Sequence, residues 1–150
     1  MEKYIITKGS GNSTYEINAF DNALISSGIA DYNLVKLSSI LPPHCFQVTS
    51  VDLPKGEILH TAYGSFVEDS PKTTISAAVA IALPKDRSLP GVIMEAAGIY
   101  SIKTVEMMVE EMLQTAMGVR KIKEYTIQKE SISIVTEEGF NCVFAAVSVW

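Results

Sequence analysis

Thr73-Thr-Ile-Ser-Ala-Ala-Val-Ala-Ile-Ala-Leu83 decides the fold class. Side chains on a strand alternate between two faces. Thr73, Ile75, Ala77, Val79, Ile81 and Leu83 share one face, and Thr74, Ser76, Ala78, Ala80 and Ala82 share the other. The strict period of two predicts a strand. The second face is nearly all small residues, so another sheet or a helix must pack close against it.

Working outward, Lys3 to Thr7 reads as a first short strand and Gly9 to Ser13 as a flexible loop. Asn18 to Ser27 reads as a short helix, with Asn18 as N-cap and Gly28 as C-cap. Asn33 to Ser38 is a strand stopped by Pro42 and Pro43. Further strands are predicted at Cys45 to Val51, Glu57 to Val67 and Gly91 to Glu95. A long helix from about Ser101 to Met117 carries apolar residues at spacings of three and four, and Gly118 is its expected cap. Strands at Glu124 to Thr136 and Asn141 to Trp150 close the chain. The sum is a two-layer or four-layer α/β sandwich, mostly antiparallel.

The 150 residues suit a single domain. Apolar residues make up 47%, a surplus that points to a crowded core, a subunit interface or both. No run of 18 apolar residues exists, and the first ten residues lack the apolar run of a signal peptide. A cytoplasmic protein that neither enters membranes nor binds nucleic acid is therefore expected, since the 12 basic residues form no arm or stripe in the sequence. The net charge of -5 suits a cationic partner. Cys45 and Cys142 read as buried thiols, and neither cysteine nor histidine spacing supports a metal site. Phosphate-binding, dinucleotide and zinc-protease motifs are absent.

Ser38-Ser39 stands apart because of its setting: an apolar strand precedes it and two rigid prolines follow. Alone, such a pair is a turn. Held in fixed, strained geometry, the Ser39 hydroxyl can add to the Ser38 carbonyl and shift the acyl group from nitrogen to oxygen. Elimination and hydrolysis then leave a pyruvoyl group at position 39.

Seven stretches, in order and covering nearly the whole chain, resemble the pyruvoyl-dependent arginine decarboxylases. They are Asn18 to Leu24, Asn33 to Pro43, Thr61 to Gly64, Ile75 to Ala78, Pro84 to Leu89, Gly91 to Glu95 and Phe144 to Trp150. The resemblance implies a four-layer αββα sandwich with mostly antiparallel sheets. It implies self-cleavage into residues 1–38 and 39–150. It also implies a homotrimer, sometimes doubled to a hexamer, with active sites between subunits. Arginine would become agmatine and carbon dioxide through a Schiff base on a covalent pyruvoyl group formed from Ser39, without pyridoxal phosphate or metal.

The same resemblance assigns roles. Glu95 matches the proton donor, and its apolar neighbours Ile93, Met94, Ala96 and Ala97 should keep its carboxyl protonated. Asp21 matches the partner of the substrate guanidinium. Asn33 matches an asparagine linked to self-cleavage, through a hydrogen bond to the reacting carbonyl. Ser38 would contribute a new carboxylate, and Ile17, Leu24 and Ile40 would line the pocket. Three departures stand out: Tyr32, which would narrow the pocket; Ala96 and Ala97, where relatives carry polar residues; and Ile134-Val135, where an acidic residue and a histidine are expected. Two other readings stay open. One is the same chemistry on lysine or ornithine; the other is an uncleaved trimeric binding or scaffold protein of the same fold.

Overall fold

The computed structural model describes all of residues 1–150. The strand that decides the fold class, β6 (Thr74–Pro84), sits inside a four-stranded sheet of order β3-β7-β6-β8. Its partners are β3 (Ile40–Leu41), β7 (Gly91–Gly98) and β8 (Tyr125–Val135). A second sheet has order β2-β5-β9-β1-β4. It is built from β1 (Lys3–Ser13), β2 (Asn33–Lys36), β4 (Phe46–Gln47), β5 (Ile58–Glu68) and β9 (Phe140–Val149). Most pairings are antiparallel; β1 with β4 and β2 with β5 are parallel.

The alternation of β6 explains the layers. Ile75, Ala77, Val79, Ile81 and Leu83 meet Val143, Ala145, Val147 and Val149 of β9 between the two sheets. On the other face, Ala78, Ala80 and Ala82 lie under helix α2 (Ile102–Val119), which buries Val105, Val109, Leu113 and Met117 there. The small face is thus the seat of a helix, whose backbone comes close only where side chains are short. Helix α1 (Glu16–Ser27) covers the outer face of the other sheet with Ala19, Ala23 and Leu24 against Phe144 and Ala146. The four layers run helix, sheet, sheet, helix, which is the αββα sandwich expected.

Several element boundaries differ from the sequence reading. Gly9 to Ser13 is not a loop; β1 runs unbroken through it to pair with β9. The glycines serve close approach rather than turning. A Cβ at Gly9 would lie 2.2 Å from the Ala23 carbonyl oxygen, and one at Gly11 2.4 Å from that of Ala19. Gly11→Ala must push α1 off its seat, and a loss of about 1–3 kcal/mol is expected, read as a lower urea midpoint at unchanged slope.

Helix α1 starts at Glu16 with Tyr15 as N-cap, so Asn18 lies in its first turn; Gly28 ends it at φ 80°, as expected. Helix α2 opens on Ser101, whose hydroxyl accepts from the Thr104 N–H. It closes at Arg120, not Gly118, and the Arg120 guanidinium donates to the Ala116 carbonyl in the last turn. The strand predicted over Cys45 to Val51 shrinks to Phe46–Gln47, a short parallel rung on β1. Tyr32 donates its hydroxyl towards the Val51 and Leu53 carbonyls and packs into the α1-side core, so it braces a loop. Cys45 and Cys142 are buried free thiols.

Candidate active site

The strand predicted over Asn33 to Ser38 stops at Lys36, for a topological reason. Strand β2 is an edge of one sheet and β3 is an edge of the other. The three residues Leu37, Ser38 and Ser39 are all that join them. Packed sheets lie about 10 Å apart. Three residues span at most roughly 10 Å when extended, so the crossover has little slack.

Both ends are tied down. The Leu37 N–H donates to the Thr61 carbonyl of β5 at 3.1 Å, and the Ser39 carbonyl accepts from the Ile93 N–H of β7 at 2.9 Å. Between these anchors Ser39 has φ 73°. A non-glycine residue there clashes with its own Cβ, at about 1–2 kcal/mol. The crossover that carries the Ser38–Ser39 bond is therefore short and clamped, with Ser39 itself in a strained backbone conformation. The strained residue sits at the change of sheet, just ahead of the two prolines.

Glu95 reaches this peptide from β7. Ile93, Glu95 and Ala97 share a strand face, and Ile93 and Ala97 belong to the core between the sheets. Glu95 thus points into that layer at its open edge. Its carboxylate oxygens lie 3.1 and 3.3 Å from the Ser39 Oγ, which donates to them. Partial burial pushes the Glu95 carboxyl above its ordinary range; the Ser39 hydrogen bond and the Lys36 charge pull against that and lose. The rise comes from the inter-sheet layer, with which Ile93 and Ala97 align; Met94 and Ala96 face α2 instead. Gly64 permits the close fit: a Cβ there would lie 3.2 Å from the Ala96 backbone.

Sequence reasoning passed over Lys36. It stands two residues before Ser38, with its ammonium 4.5 Å from the centre of the Tyr63 ring. Tyr63 in turn packs against Phe20 and Phe144, with ring centroids 6.4 and 5.3 Å apart. A lysine following Leu34 and Val35 on an apolar edge strand was the available signal.

The remaining candidates lie apart from Ser39. Asn33 opens β2, and its side-chain amide donates to the Gly56 carbonyl at 2.7 Å, not to the Ser38 carbonyl as expected. In this structure it fixes the start of the edge strand that feeds the crossover. Ile17, Asp21 and Leu24 follow helical spacing along one stripe of α1. Asp21 and Ile17 are exposed, while Leu24 is buried against the sheet. Helix α1 packs mainly on β1 and β9, on the outer face of its sheet, whereas the crossover joins the two sheets. One chain therefore joins Ser38, Ser39, Ile40 and Glu95 but leaves the Asp21 stripe elsewhere. Ile40 begins β3 opposite Val92 and is partly exposed beside the crossover.

The chain has known relatives. The family model for pyruvoyl-dependent arginine decarboxylase matches residues 3–150. The chain is 42% identical over 146 residues to a pyruvoyl-dependent arginine decarboxylase of Methanocaldococcus jannaschii, covering 97% of this chain and 87% of the relative. A protein of the same name from Methanococcus aeolicus is 41% identical over 148 residues, with the same coverage. One from Pyrococcus abyssi is 35% identical over 137 residues, covering 89% of this chain and 86% of the relative.

Proposed function

The chain belongs to the pyruvoyl-dependent arginine decarboxylase family, and from that premise we propose that it cuts itself between Ser38 and Ser39 and then decarboxylates arginine to agmatine. The observation that carries this reading is the clamped Ser38–Ser39 peptide with Glu95 beside it.

The Ser39 Oγ attacks the Ser38 carbonyl carbon and the peptide C–N bond breaks, leaving an ester and a free amine. Loss of the Ser39 α-proton then breaks the Cβ–Oγ bond. Ser38 departs as a carboxylate and position 39 becomes dehydroalanine. Water replaces its nitrogen, ammonia leaves, and a ketone remains. The φ strain of about 1–2 kcal/mol accounts for only roughly a tenfold effect on rate. Holding nucleophile and carbonyl together is the larger contribution, since well-oriented groups gain about 7–11 kcal/mol.

The pieces stay together after the cut. Residues 1–38 supply β1, which pairs with β9 over ten residues, and β2 on β5. They also supply α1, seated on Gly9 and Gly11. The cut therefore opens one bond of the crossover, with an anchor left on each side of it, and unfolds neither sheet.

The group at position 39 fits its surroundings: its amide carbonyl accepts from the Ile93 N–H, and Glu95 faces it. It supplies a carbonyl for the substrate amine and an adjacent amide that accepts electrons as carbon dioxide leaves. Glu95, held towards its protonated form, is placed to deliver a proton to the substrate carbon. Asp21 offers two oxygens to a guanidinium, with the exposed Ile17 beside the methylenes; Leu24, buried against the sheet, supports the stripe from beneath instead of lining a pocket. Because α1 lies on the outer face of its sheet and Ser39 at the crossover between the sheets, in this reading the pocket is completed between subunits of a homotrimer or a doubled hexamer.

Intact-mass measurement tests the reading. Two chains, residues 1–38 and 39–150, are expected, co-eluting under native conditions, with the longer one blocked to amino-terminal sequencing. A panel of carboxyl-labelled arginine, lysine and ornithine is expected to release labelled carbon dioxide from arginine. A single uncut chain favours the scaffold reading, and an inert arginine beside an active lysine or ornithine overturns the substrate.

A further inference from the structure

The oxygen that touches Glu95 changes its chemical nature during self-cleavage. Before the cut it is the Ser39 hydroxyl, a donor 3.1 and 3.3 Å from the two Glu95 oxygens. Such a donor favours an ionised carboxylate. The acyl shift moves the Ser38 carbonyl onto this oxygen, and elimination cuts the oxygen away from residue 39. It finishes as one of the two oxygens of the new Ser38 carboxylate. No hydroxyl remains at position 39.

We infer that self-cleavage turns the neighbour of Glu95 from a hydrogen-bond donor into an anion, so that processing itself loads the proton Glu95 later delivers. This rests on the cleavage and proton-donor roles proposed above. The clamp keeps the new carboxylate close, because the Leu37 N–H remains bonded to the Thr61 carbonyl on the uncut side. Two carboxylates side by side cannot both ionise freely, so one of them takes up a proton. Ser38 is exposed and Glu95 is half-buried in the layer between the sheets, so water favours the charge on Ser38 and the proton on Glu95.

Other groups do not offset the change. Lys36 is the one charged side chain acting on Glu95, and it is present before and after the cut. Strand β6 places Val79 opposite Glu95, and β5 brings Gly64 against the adjoining Ala96; neither titrates. Burial already holds the carboxyl above its ordinary range, and the hydrogen bond from the Ser39 hydroxyl opposes this more than the Lys36 charge does. Cleavage removes that influence and replaces it with its opposite. The uncut chain thus holds the Glu95 proton less tightly than the processed one, and the hold strengthens in the same event that creates the ketone.

The test is the titration of Glu95 in two forms of the full chain. Glutamate labelled with carbon-13 at the side-chain carboxyl is followed by NMR against pH in processed wild type and in uncut Ser39→Ala. The matching Glu95→Gln spectra identify the signal. Ser39→Ala lacks both the hydroxyl and the new carboxylate, so a higher midpoint in the processed form is more than the loss of the hydroxyl. The expected midpoint for Glu95 is about one pH unit or more higher in the processed form, a tenfold gain in proton affinity. Equal midpoints, or a lower one after cleavage, overturn the inference while leaving the cleavage reading intact. A wild-type chain that electrophoresis shows uncut overturns both, and the gel tells the two failures apart.

Discussion

Ser39→Ala is expected to remain a single full-length chain, with no carbonyl that borohydride reduces and no release of carbon dioxide from arginine. The loss is complete because the hydroxyl is both the attacking group and the source of the ester that eliminates. No other hydroxyl can substitute: the Ser38 hydroxyl precedes the scissile peptide, and Glu95 lacks one. Ser39→Gly separates chemistry from strain. It is equally uncut, yet it relieves a φ of 73°, a region glycine enters freely. Ser39→Gly should therefore exceed Ser39→Ala in unfolding free energy by roughly 1 kcal/mol. Electrophoresis and urea titration read the two effects. A Ser39→Ala chain that still splits at this bond ends the proposal, and equal stability of the glycine and alanine forms removes strain from it.

The sequence carried the fold because its strongest signal was also the most central. The small face of β6 is legible as a surface needing a close neighbour, and α2 occupies it. The four-layer order came from the resemblance, since periodicity alone left two layers or four. Gly9 and Gly11 misled because glycine permits both a turn and a close approach, and only tertiary structure distinguishes them. Ser38-Ser39 was conspicuous between an apolar strand and two prolines. Its physical setting was not: a change of sheet is long-range, and no local pattern encodes it. Asn33 shows the same limit, its amide turned to Gly56 across a loop. Lys36 was legible only as a lysine on an apolar strand, because its relation to Glu95 and Tyr63 exists only once the two sheets are packed. The Asp21 stripe was legible as a helix face, while its distance from Ser39 required the layers.

Glu95→Gln is expected to cut itself and then fail as a decarboxylase. Burial raises the affinity of Glu95 for a proton, which keeps its acid form populated for the second reaction, while the first reaction rests on the held geometry of the Ser39 hydroxyl and the Ser38 carbonyl. A glutamine amide keeps the size of the carboxyl and can still accept from Ser39 Oγ, so the clamp around the scissile peptide survives. It carries no transferable proton, and loss of a positioned general acid lowers turnover by about 10²–10⁴-fold. The drop should fall on kcat, because the substrate side chain is held elsewhere. Stability supplies an independent check. In the folded chain Glu95 holds its proton to a higher pH than the ordinary 4.5 of the unfolded chain. The folded state therefore binds more protons in the window above that value, and stability falls as pH rises through it. On the uncut Ser39→Ala background, Glu95→Gln lacks this loss. Its stability relative to Glu95 should climb from about pH 4.5 upward and level off once the folded carboxyl has ionised. Urea midpoints across that range measure it, and a parallel pair of curves would show that the carboxyl is not perturbed. A Glu95→Gln chain that cannot cut itself would make Glu95 the base of the first reaction as well as the acid of the second.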